Sequence, residues 1–300
     1  METYHILLYY KYAPIPDPVA FIAEHRQLCS SLDLKGRIYV AGEGINGTVS
    51  GLPHQTDAYQ EAVRNLPGFE TIEFKTETWH QHAFPRLTIK VRPEIVALKA
   101  GTDLDPNQET GTYLEPGEFD QMLESDPDVL VLDTRNDYEY AIGHFKGAVE
   151  SPIRNFRDFP DMIEKLEPYR DKKILAYCTG GIRCEKATAL LKRAGFKQVF
   201  QLHGGIIRYG QITGGKNWVG KCYVFDKRIA VPVNQTDNTV ISTCRICQQP
   251  SDRYINCSNA ACNQQILVCE SCEPAIKGAC SEACTNSPLS RWGQKQESPA

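Results

Sequence analysis

The sequence predicts an α/β protein in three parts: an α+β unit, an open parallel sheet and a cysteine-rich metal-binding module. Three observations indicate this. Strand and helix patterns alternate over the first hundred residues, an apolar strand of parallel-sheet type lies at 129–132, and eight of the twelve cysteines lie between positions 244 and 284. A chain of 300 residues is long enough for about two or three domains.

Composition excludes several classes of protein. The net charge is −4, and no apolar run approaches the ~20 residues of a membrane span. The start of the chain, residues 1–5, lacks the basic and apolar segments of a signal peptide, so we expect a cytoplasmic protein with no membrane partner. In such a compartment a high cysteine count indicates metal binding or catalysis rather than disulfides.

The first unit is predicted to be a ferredoxin-like, or acylphosphatase-like, domain over residues 1–102. Asp17 is a plausible N-cap, and Pro18 suits the first position of a helix. Six elements follow the order β-α-β-β-α-β of that fold: Tyr4–Tyr12, a helix from Asp17, Gly36–Ala41, Thr48–Ser50, a helix over 55–66 and Thr71–Thr76. Leu87–Val91 is predicted to be a further strand. Residues 42–47 are predicted to be a glycine-rich hairpin connection. They are no phosphate loop, because no helix and no Gly-Lys-Ser/Thr follow.

The second unit, residues 112–230, is predicted to be an open sheet with flanking helices. Strands are expected at 129–132, 174–177 and 199–202, and helices at 119–124, 163–167 and 184–194. Asp133 and Arg135 follow the first of these strands, at the edge where α/β folds place functional groups.

Cys178 begins a tight turn between a buried strand and an amphipathic helix. In such a turn the backbone N–H groups converge and the helix dipole favours negative charge, so the thiol is stabilised as a nucleophilic thiolate. Arg183 lies five positions after Cys178 rather than the six typical of cysteine phosphatases, and the smaller ring fits a persulfide sulfur better than phosphate. The candidate catalytic residues are Cys178, Thr179, Gly180, Gly181 and Arg183.

Each of these residues has an expected role. Gly180 and Gly181 permit close backbone approach, and the Thr179 hydroxyl is a hydrogen-bond donor. Arg183 either pins the loop through backbone carbonyls or faces a substrate phosphate. Cys184 is a candidate resolving thiol for a persulfide or disulfide on Cys178. The alternative, which its early position in the helix favours, is that its side chain points away from Cys178.

Charge is unevenly distributed along the second unit. Residues 172–228 contain twelve Lys or Arg against Glu185 and Asp226, whereas residues 112–149 contain nine acids against Arg135 and Lys146. This predicts a basic surface that holds a phosphate backbone near Cys178. The alternative is a solvated face that the acidic segment balances in space.

The third unit, residues 240–285, is predicted to bind metal through cysteine alone. Short-spaced thiolate pairs suit tetrahedral zinc, and eight ligands fit two structural zinc ions. The pairs combine either in an interleaved way, first with third and second with fourth, or sequentially. The ligands are Cys244, Cys247, Cys257, Cys262, Cys269, Cys272, Cys280 and Cys284. The polar segment 286–300 is predicted to be a disordered tail.

Several motifs of the second unit together resemble a rhodanese domain. They occur in the same order: Asp133-Thr134-Arg135, Glu139, Gly143-His144, Gly147-Ala148, the Cys178 loop and Leu202-His203-Gly204-Gly205. The whole chain resembles the rhodanese-domain tRNA uridine hydroxylase family. That resemblance implies an oxidoreductase that converts the wobble uridine of tRNA to 5-hydroxyuridine, with molecular oxygen as co-substrate. It also implies a persulfide-type nucleophile at Cys178 and a pinning role for Arg183.

Two other functions stay open at this point. One is a sulfurtransferase that passes persulfide sulfur from Cys178 to a small acceptor or carrier protein. The other is a zinc-stapled RNA-binding module with an inactive loop, against which the intact Cys178 and Arg183 argue. Asp133 and Arg135 are expected to form structural ion pairs, and His144 and His203 to make scaffold hydrogen bonds.

The chemistry of hydroxylation has one hypothesis that needs no cofactor. The sequence has no flavin, haem or two-histidine-one-carboxylate signature. A thiolate at Cys178 is therefore expected to attack C6 of the uracil ring, after which oxygen reacts with the enolate-like C5.

Overall fold

The computed structural model describes residues 2–100, 104–262 and 264–295. The N-terminal domain has seven elements: β1 (Tyr4–Tyr12), α1 (Pro18–Ser31), β2 (Lys35–Ala41), β3 (Gly44–Gly51), α2 (Pro53–Arg64), β4 (Glu73–Trp79) and β5 (Leu87–Val91). The strand order is β4-β1-β3-β2-β5, in which β5 runs parallel to β2 and the other neighbours are antiparallel. This is the predicted ferredoxin-like arrangement, extended by one strand.

The start of α1 follows the predicted capping chemistry. The Asp17 carboxylate accepts hydrogen bonds from the N–H groups of Val19 and Ala20, both at 3.0 Å, and Pro18 occupies the first helical position. Leu7 and Tyr9 of β1 are fully buried in the core of this domain, while Leu8 belongs to the opposite face of the strand. The sheet therefore keeps one face for its own helices and one for the next domain.

The glycine-rich segment 42–47 is mostly strand rather than the predicted connection. β3 begins at Gly44, so that only Gly42 and Glu43 form the turn. Close packing explains why a strand contains glycine at this point. A Cβ atom on Gly47 would lie 2.4 Å from the Tyr9 hydroxyl, so glycine there leaves room for the tyrosine side chain beneath the strand.

The central domain has an open parallel sheet of four strands in the order β6-β10-β9-β7. Its elements are β6 (Thr112–Leu114), α3 (Pro116–Ser125), β7 (Leu130–Asp133), α4 (Asp137–Tyr140), β8 (Gly143–Phe145), α5 (Met162–Leu166), β9 (Ile174–Tyr177), α6 (Ile182–Arg193), β10 (Val199–Leu202), α7 (Gly205–Thr213), β11 (Trp218–Tyr223) and β12 (Ala230–Pro232). Alternate residues of β9 face opposite sides of the sheet, where two layers of helices pack. Leu175 and Tyr177 pack in the cluster that contains α3 and α7, and Ile174 packs in the one that contains α5 and α6.

Some elements of the central domain were not predicted from the sequence. Helix α7 follows the Leu202-His203-Gly204-Gly205 motif, and β8, β11 and β12 form a separate three-stranded antiparallel sheet. Trp218 of β11 is fully buried and meets Phe145 edge to face at 5.2 Å. β8 and β12 contain only three residues each, and Gly220 and Lys221 interrupt the apolar pattern of β11.

The cysteine-rich module contains little regular structure. A two-stranded sheet joins β13 (Tyr254–Asn256) to β14 (Gln265–Leu267), and two short helices follow, α8 (Glu282–Thr285) and α9 (Trp292–Lys295). The predicted fold class is confirmed in all three parts. No helix in the described parts of the chain is long and apolar enough to cross a membrane.

The segment 286–295 packs on the cysteine-rich module, although its polar composition predicted disorder. The carbonyl of Leu289 accepts a hydrogen bond from Ala260, and the N–H of Arg291 donates to Ser258. The sequence did not predict this packing, because backbone hydrogen bonds of this kind leave no pattern in the side chains. Residues 296–300, the rest of the predicted tail, lie outside the described residues.

Lys186 of α6 ties the N-terminal domain to the central one. Its ammonium group contacts Glu43 of the β2–β3 turn at 2.9 Å and Glu94 at 2.8 Å, and also donates to the carbonyl of Val96 at 3.3 Å. The lysine side chain is 4% exposed and each carboxylate side chain 25%. Removal of the cation would leave two partly buried carboxylates without their partner, which lowers the stability of the fold.

We expect Lys186→Met to lower the free energy of unfolding by about 2–3 kcal/mol, since it removes both ion pairs but keeps the aliphatic packing. Urea unfolding of the full chain at pH 7 measures the change. Lys192→Met, an exposed position on the same helix, is the matched control and should cost less than ~0.5 kcal/mol. Equal losses in the two variants would contradict the assigned role.

Candidate active site and metal centres

Cys178 lies directly after β9 and lines a cavity between the N-terminal and central domains. The cavity has a volume of about 500 Å³. Cys178, Thr179, Gly180 and Arg183 line it from the central domain, with Leu8 and Tyr10 among the lining residues of the N-terminal sheet. The thiol is buried, so only a group that enters the cavity can reach it.

The surroundings of Cys178 favour its thiolate. Gly181 donates its backbone N–H to the Cys178 sulfur at 3.2 Å. Burial alone would raise the pKa of this thiol, but a hydrogen bond from the Cys184 thiol, the charge of Arg183 and the N–H groups of both residues lower it to about 6. Cys178 is therefore mostly a thiolate at neutral pH, as the sequence predicted.

Arg183 is held by a carboxylate rather than by backbone carbonyls. Its guanidinium makes a two-point ion pair with Glu139, at 2.5 and 2.8 Å, and both side chains are almost wholly buried. Burial alone would raise the pKa of Glu139, but Arg183 keeps it below its usual value. The expected carbonyl contacts are replaced by this pair, which ties the loop to α4 (Asp137–Tyr140).

Thr179 contacts the same ion pair. Its hydroxyl donates to Glu139 at 3.4 Å and accepts from Arg183 at 3.3 Å. The residue therefore donates a hydrogen bond, as expected, but to the carboxylate. Its side chain orients the Arg183–Glu139 pair.

The start of α7 holds the Cys178 loop in place through backbone hydrogen bonds. The N–H of Ile206 donates to the Cys178 carbonyl at 3.0 Å, and that of Ile207 donates to the Thr179 carbonyl at 3.2 Å. Gly205 makes this approach possible. It has φ = +69°, and a Cβ atom there would lie 2.5 Å from the Cys178 carbonyl oxygen. The Gly-Gly pair of the sequence motif is thus a loop support that the sequence did not identify.

Gly180 and Gly181 let the N-terminal sheet contact the loop. A Cβ atom on Gly180 would lie 2.9 Å from a Leu8 methyl group, and one on Gly181 would lie 2.8 Å from the Tyr10 hydroxyl. The close approach predicted for these glycines is present, and the neighbour they accommodate is β1. Tyr10 also donates to Glu185 at 2.8 Å, which fixes β1 to the start of α6.

Cys184 lies behind Cys178, in the first turn of α6. It is buried in one small cluster with Cys178 and Ala176. Its sulfur lies 3.6 Å from the Thr134 hydroxyl, and burial together with the neighbouring Cys178 raises its pKa well above the usual value. Cys184 is therefore a protonated thiol next to a thiolate, rather than a residue that points away.

The basic segment 172–228 is largely neutralised in space. Nine of its twelve cations form ion pairs with acids, many of them from the acidic segment or the N-terminal domain: Lys172, Lys173, Arg183, Lys186, Arg193, Arg208, Lys216, Lys221 and Arg228. The expectation of a basic surface along this segment is therefore wrong. Proximity in sequence did not show which acids the fold would bring opposite these cations.

The positive charge of the site comes instead from three arginines of the cavity wall, outside the segment 172–228. Arg37, Arg92 and Arg157 line it, are exposed, and form no ion pair with any acid of residues 2–100, 104–262 or 264–295. The acids of the cavity, by contrast, are paired: Glu94 with Lys186, and Glu77 and Asp226 with Arg228. The cavity wall therefore carries a net positive charge, which suits an anionic substrate.

Aromatic rings accompany these arginines. The Arg92 guanidinium lies 5.3 Å from the ring centroid of Tyr39, and Arg37 lies 5.9 Å from that of Phe84. Phe225 lines the same cavity and is 49% exposed. The sequence did not predict that these arginines and aromatic residues form a binding surface. The pattern that could have revealed it is the uncovered face of the N-terminal sheet, since both helices of a β-α-β-β-α-β unit pack on the other face.

The remaining candidates have scaffold roles, as expected. Asp133 and Arg135 form a fully buried ion pair at 2.6 Å, and Tyr177 donates to the same carboxylate at 2.7 Å. His144 contacts the Tyr140 carbonyl at 3.0 Å and stacks on its ring. His203 contacts Glu115 at 2.6 Å, near the surface.

The eight cysteines of the C-terminal module form two clusters of four. Within each cluster all sulfur atoms lie within 4.8 Å of one another. The pairing is interleaved, with the first and third pairs in one cluster and the second and fourth in the other: Cys244, Cys247, Cys269 and Cys272, then Cys257, Cys262, Cys280 and Cys284.

The geometry of both clusters fits a tetrahedral metal. The sulfur atoms of Cys247 and Cys269 are 3.8 Å apart, and those of Cys262 and Cys280 are 3.5 Å apart. A tetrahedron with zinc–sulfur bonds of ~2.3 Å has edges of about 3.8 Å. Four thiols in this arrangement are the ligand set of a closed structural site.

Three family models match this chain. The UPF0176 acylphosphatase like domain matches residues 4–95, the Rhodanese-like domain residues 115–211, and the Rhodanase C-terminal model residues 219–285. Among solved structures, the rhodanese-like domain of an Anabaena protein is 24% identical, with a TM-score of 0.32, over 47% of this chain and 98% of that one. A rhodanese-like domain protein from Staphylococcus aureus is 23% identical, with a TM-score of 0.28, over 33% of this chain and 90% of that one.

Curated relatives match over almost the whole length. A tRNA uridine(34) hydroxylase from Cytophaga hutchinsonii is 50% identical over 97% of this chain and 93% of that protein. A tRNA uridine(34) hydroxylase from Bacillus cereus is 48% identical over 97% of this chain and 92% of that protein. Identity at this level across all three parts means that the chain belongs to the tRNA uridine(34) hydroxylase family, which carries a rhodanese domain.

Proposed function

We propose that this protein is an oxidoreductase that hydroxylates C5 of the wobble uridine of tRNA, with Cys178 as nucleophile and molecular oxygen as co-substrate. The observation that carries the proposal is a buried thiolate in the wall of a positively charged, aromatic-lined cavity. A volume of about 500 Å³ is in the range of small-molecule sites and suits one nucleotide. The names of the curated relatives supply the position of the base and the class of RNA.

The chemistry begins at C6 of the uracil ring. This carbon is conjugated to the C4 carbonyl, so a thiolate that adds to it places negative charge on C5 and O4. Cys178 is the only cysteine among the described residues that line the cavity. The electron-rich C5 then reacts with molecular oxygen, which supplies the oxygen atom of the hydroxyl group.

The walls of the cavity account for nucleotide binding. Tyr39 and Phe225 offer surfaces for base stacking, and stacking of this kind contributes ~1–3 kcal/mol per base. Arg37, Arg92 and Arg157 are placed to meet phosphates on either side of the bound base. A tRNA substrate also supports a cytoplasmic location for the reaction.

The same wall argues against the alternative of a sulfurtransferase for a small acceptor. Persulfide transfer to a small thiol needs only the Cys178 loop, which the central domain supplies alone. Here β1 packs against the Cys178 loop, and residues 37, 39 and 92 of the N-terminal domain line the cavity. A domain that forms half of the site indicates a larger, anionic substrate.

We also propose that each four-cysteine cluster holds one structural zinc ion. The module has few buried apolar residues besides its cysteines, and a closed four-thiolate site would supply folding energy that its core lacks. The clusters belong to the module rather than to the cavity, so no step of the reaction is assigned to the metal.

We expect Cys178→Ser to abolish 5-hydroxyuridine formation, because a serine hydroxyl is not ionised at neutral pH. In the natural protein the rate should be constant above about pH 7 and fall about tenfold per pH unit below pH 6, since the pKa of Cys178 is about 6 and the thiolate is lost below it. Nucleoside mass spectrometry of reacted tRNA measures both effects. Activity in the serine variant, or a rate that rises on acidification, would exclude Cys178 as nucleophile.

We expect Arg92→Ala to weaken tRNA binding by ~1 kcal/mol and to reduce the salt dependence of binding by almost one phosphate contact. Fluorescence anisotropy at several salt concentrations gives both values. Arg64→Ala is the matched control, because Arg64 is exposed on α2, behind the sheet, and is not among the cavity residues. Unchanged salt dependence in the Arg92 variant would remove this residue from the proposed RNA contact.

We expect about two zinc ions per chain by plasma mass spectrometry, and about one in either Cys247→Ser or Cys262→Ser. These two cysteines are exposed and belong to different clusters. Cys29→Ser, in the core of the N-terminal domain, should keep both ions. Loss of both ions from each single variant, or iron in place of zinc, would contradict two independent zinc sites.

A further inference from the structure

The proposed hydroxylation needs two electrons that the substrate does not supply. One oxygen atom of O₂ enters the base and the other leaves as water, so a two-electron reductant must take part. Two thiols that become a disulfide provide two electrons. The source of these electrons can therefore be sought among the buried thiols next to Cys178.

Cys184 is the thiol in position to react with Cys178. It shares one buried cluster with Cys178 and Ala176, and its sulfur contacts the Thr134 hydroxyl at 3.6 Å. The loop between the two cysteines folds back on itself, since the N–H of Cys184 donates to the Gly181 carbonyl at 3.0 Å. Nucleophile and second thiol are thus neighbours within one rigid turn.

Cys184 has no access to the substrate itself. Among the described residues that line the cavity, Cys178, Thr179, Gly180, Ile182 and Arg183 are present and Cys184 is not. Its side chain is 1% exposed. Cys184 can therefore reach the sulfur of Cys178 within the protein, but it cannot reach a peroxide on the base.

We propose that Cys184 is the catalytic reductant of the reaction and releases the product by forming a disulfide with Cys178. The inference rests on the proposed function and extends it to the electron donor. The Cys178 thiolate adds to C6, and C5 takes up O₂ and a proton to give a C5 hydroperoxide. Loss of water, with the proton from C5, leaves a carbonyl at C5 and the thioether at C6.

The last step uses the placement of Cys184. Its thiolate attacks the Cys178 sulfur, the S–C6 bond breaks, and the bond's electron pair enters the ring as the C5 enolate. Protonation of that enolate gives 5-hydroxyuridine. The sum is uridine, O₂ and two thiols giving 5-hydroxyuridine, one disulfide and one water, in which atoms and electrons balance.

The local charges suit this order of events. While Cys178 is a thiolate, Cys184 stays protonated, because burial and the adjacent negative charge hold its pKa high. Once Cys178 is bonded to carbon that charge is gone, and Cys184 ionises more readily. A cellular thiol or dithiol reductant then enters the cavity and reduces the disulfide through the Cys178 sulfur.

The test uses full-length protein, reduced and desalted without oxygen, then mixed with tRNA and air in the absence of added thiol. We expect at most one 5-hydroxyuridine per chain, together with a Cys178–Cys184 disulfide. Trypsin cleaves after Lys173, Arg183 and Lys186, so that the two cysteines lie on different peptides that only the disulfide joins. Mass spectrometry after alkylation detects this pair.

In Cys184→Ser we expect loss of 5-hydroxyuridine and accumulation of a protein–RNA adduct at Cys178, visible on a denaturing gel. Cys222→Ser, which changes another fully buried thiol of the central domain, should form product and disulfide as the natural protein does. Natural protein that forms product with both thiols still free would overturn the inference, as would full yield from Cys184→Ser. No 5-hydroxyuridine from the natural protein, even with thiol added, would instead overturn the proposed function and the inference with it.

Discussion

The site depends on stabilising negative charge on a sulfur atom that solvent does not reach. Arg183 is the obvious cation for this purpose, yet its charge is mostly matched by Glu139 at 2.5 and 2.8 Å. Backbone N–H groups and a neighbouring thiol then supply much of the stabilisation. These groups act only if the loop keeps its shape, so the Arg183–Glu139 pair and the close approach of Gly205 control the nucleophile indirectly.

The same requirement explains why the N-terminal domain is part of the site. The outer side of the Cys178 loop consists of glycines, which by themselves would leave backbone exposed to water. Leu8 and Tyr10 cover these glycines, and the Lys186 ion pairs hold the covering sheet in place. One face of this sheet therefore does two things: it excludes water from the thiolate, and it brings Arg37 and Tyr39 to the cavity.

Local patterns predicted what depends on neighbours in sequence. Cys178, the capping of α1 by Asp17, the apolar strands and the paired cysteines all follow from spacing within a few residues. The misses share a different cause. The partner of Arg183 lies 44 residues away, and Arg92 meets the cavity only because β5 pairs with β2. The sequence count that predicted a basic surface failed for the same reason, since ion pairs form across the fold.

A buried nucleophile also restricts which RNA can react. Cys178 lines the cavity and is buried, so the uracil ring has to leave its neighbours and enter the cavity to reach the thiol. A base in a duplex would first have to lose its stacking and pairing, at a cost of a few kcal/mol, whereas a base in a single-stranded loop avoids much of that cost. The arginines of the cavity wall attract any RNA, but the burial of the thiol selects an unpaired nucleotide. Position 34 of tRNA lies in the anticodon loop and meets this condition, so the burial of Cys178 adds a structural source of specificity to the contacts of the cavity wall.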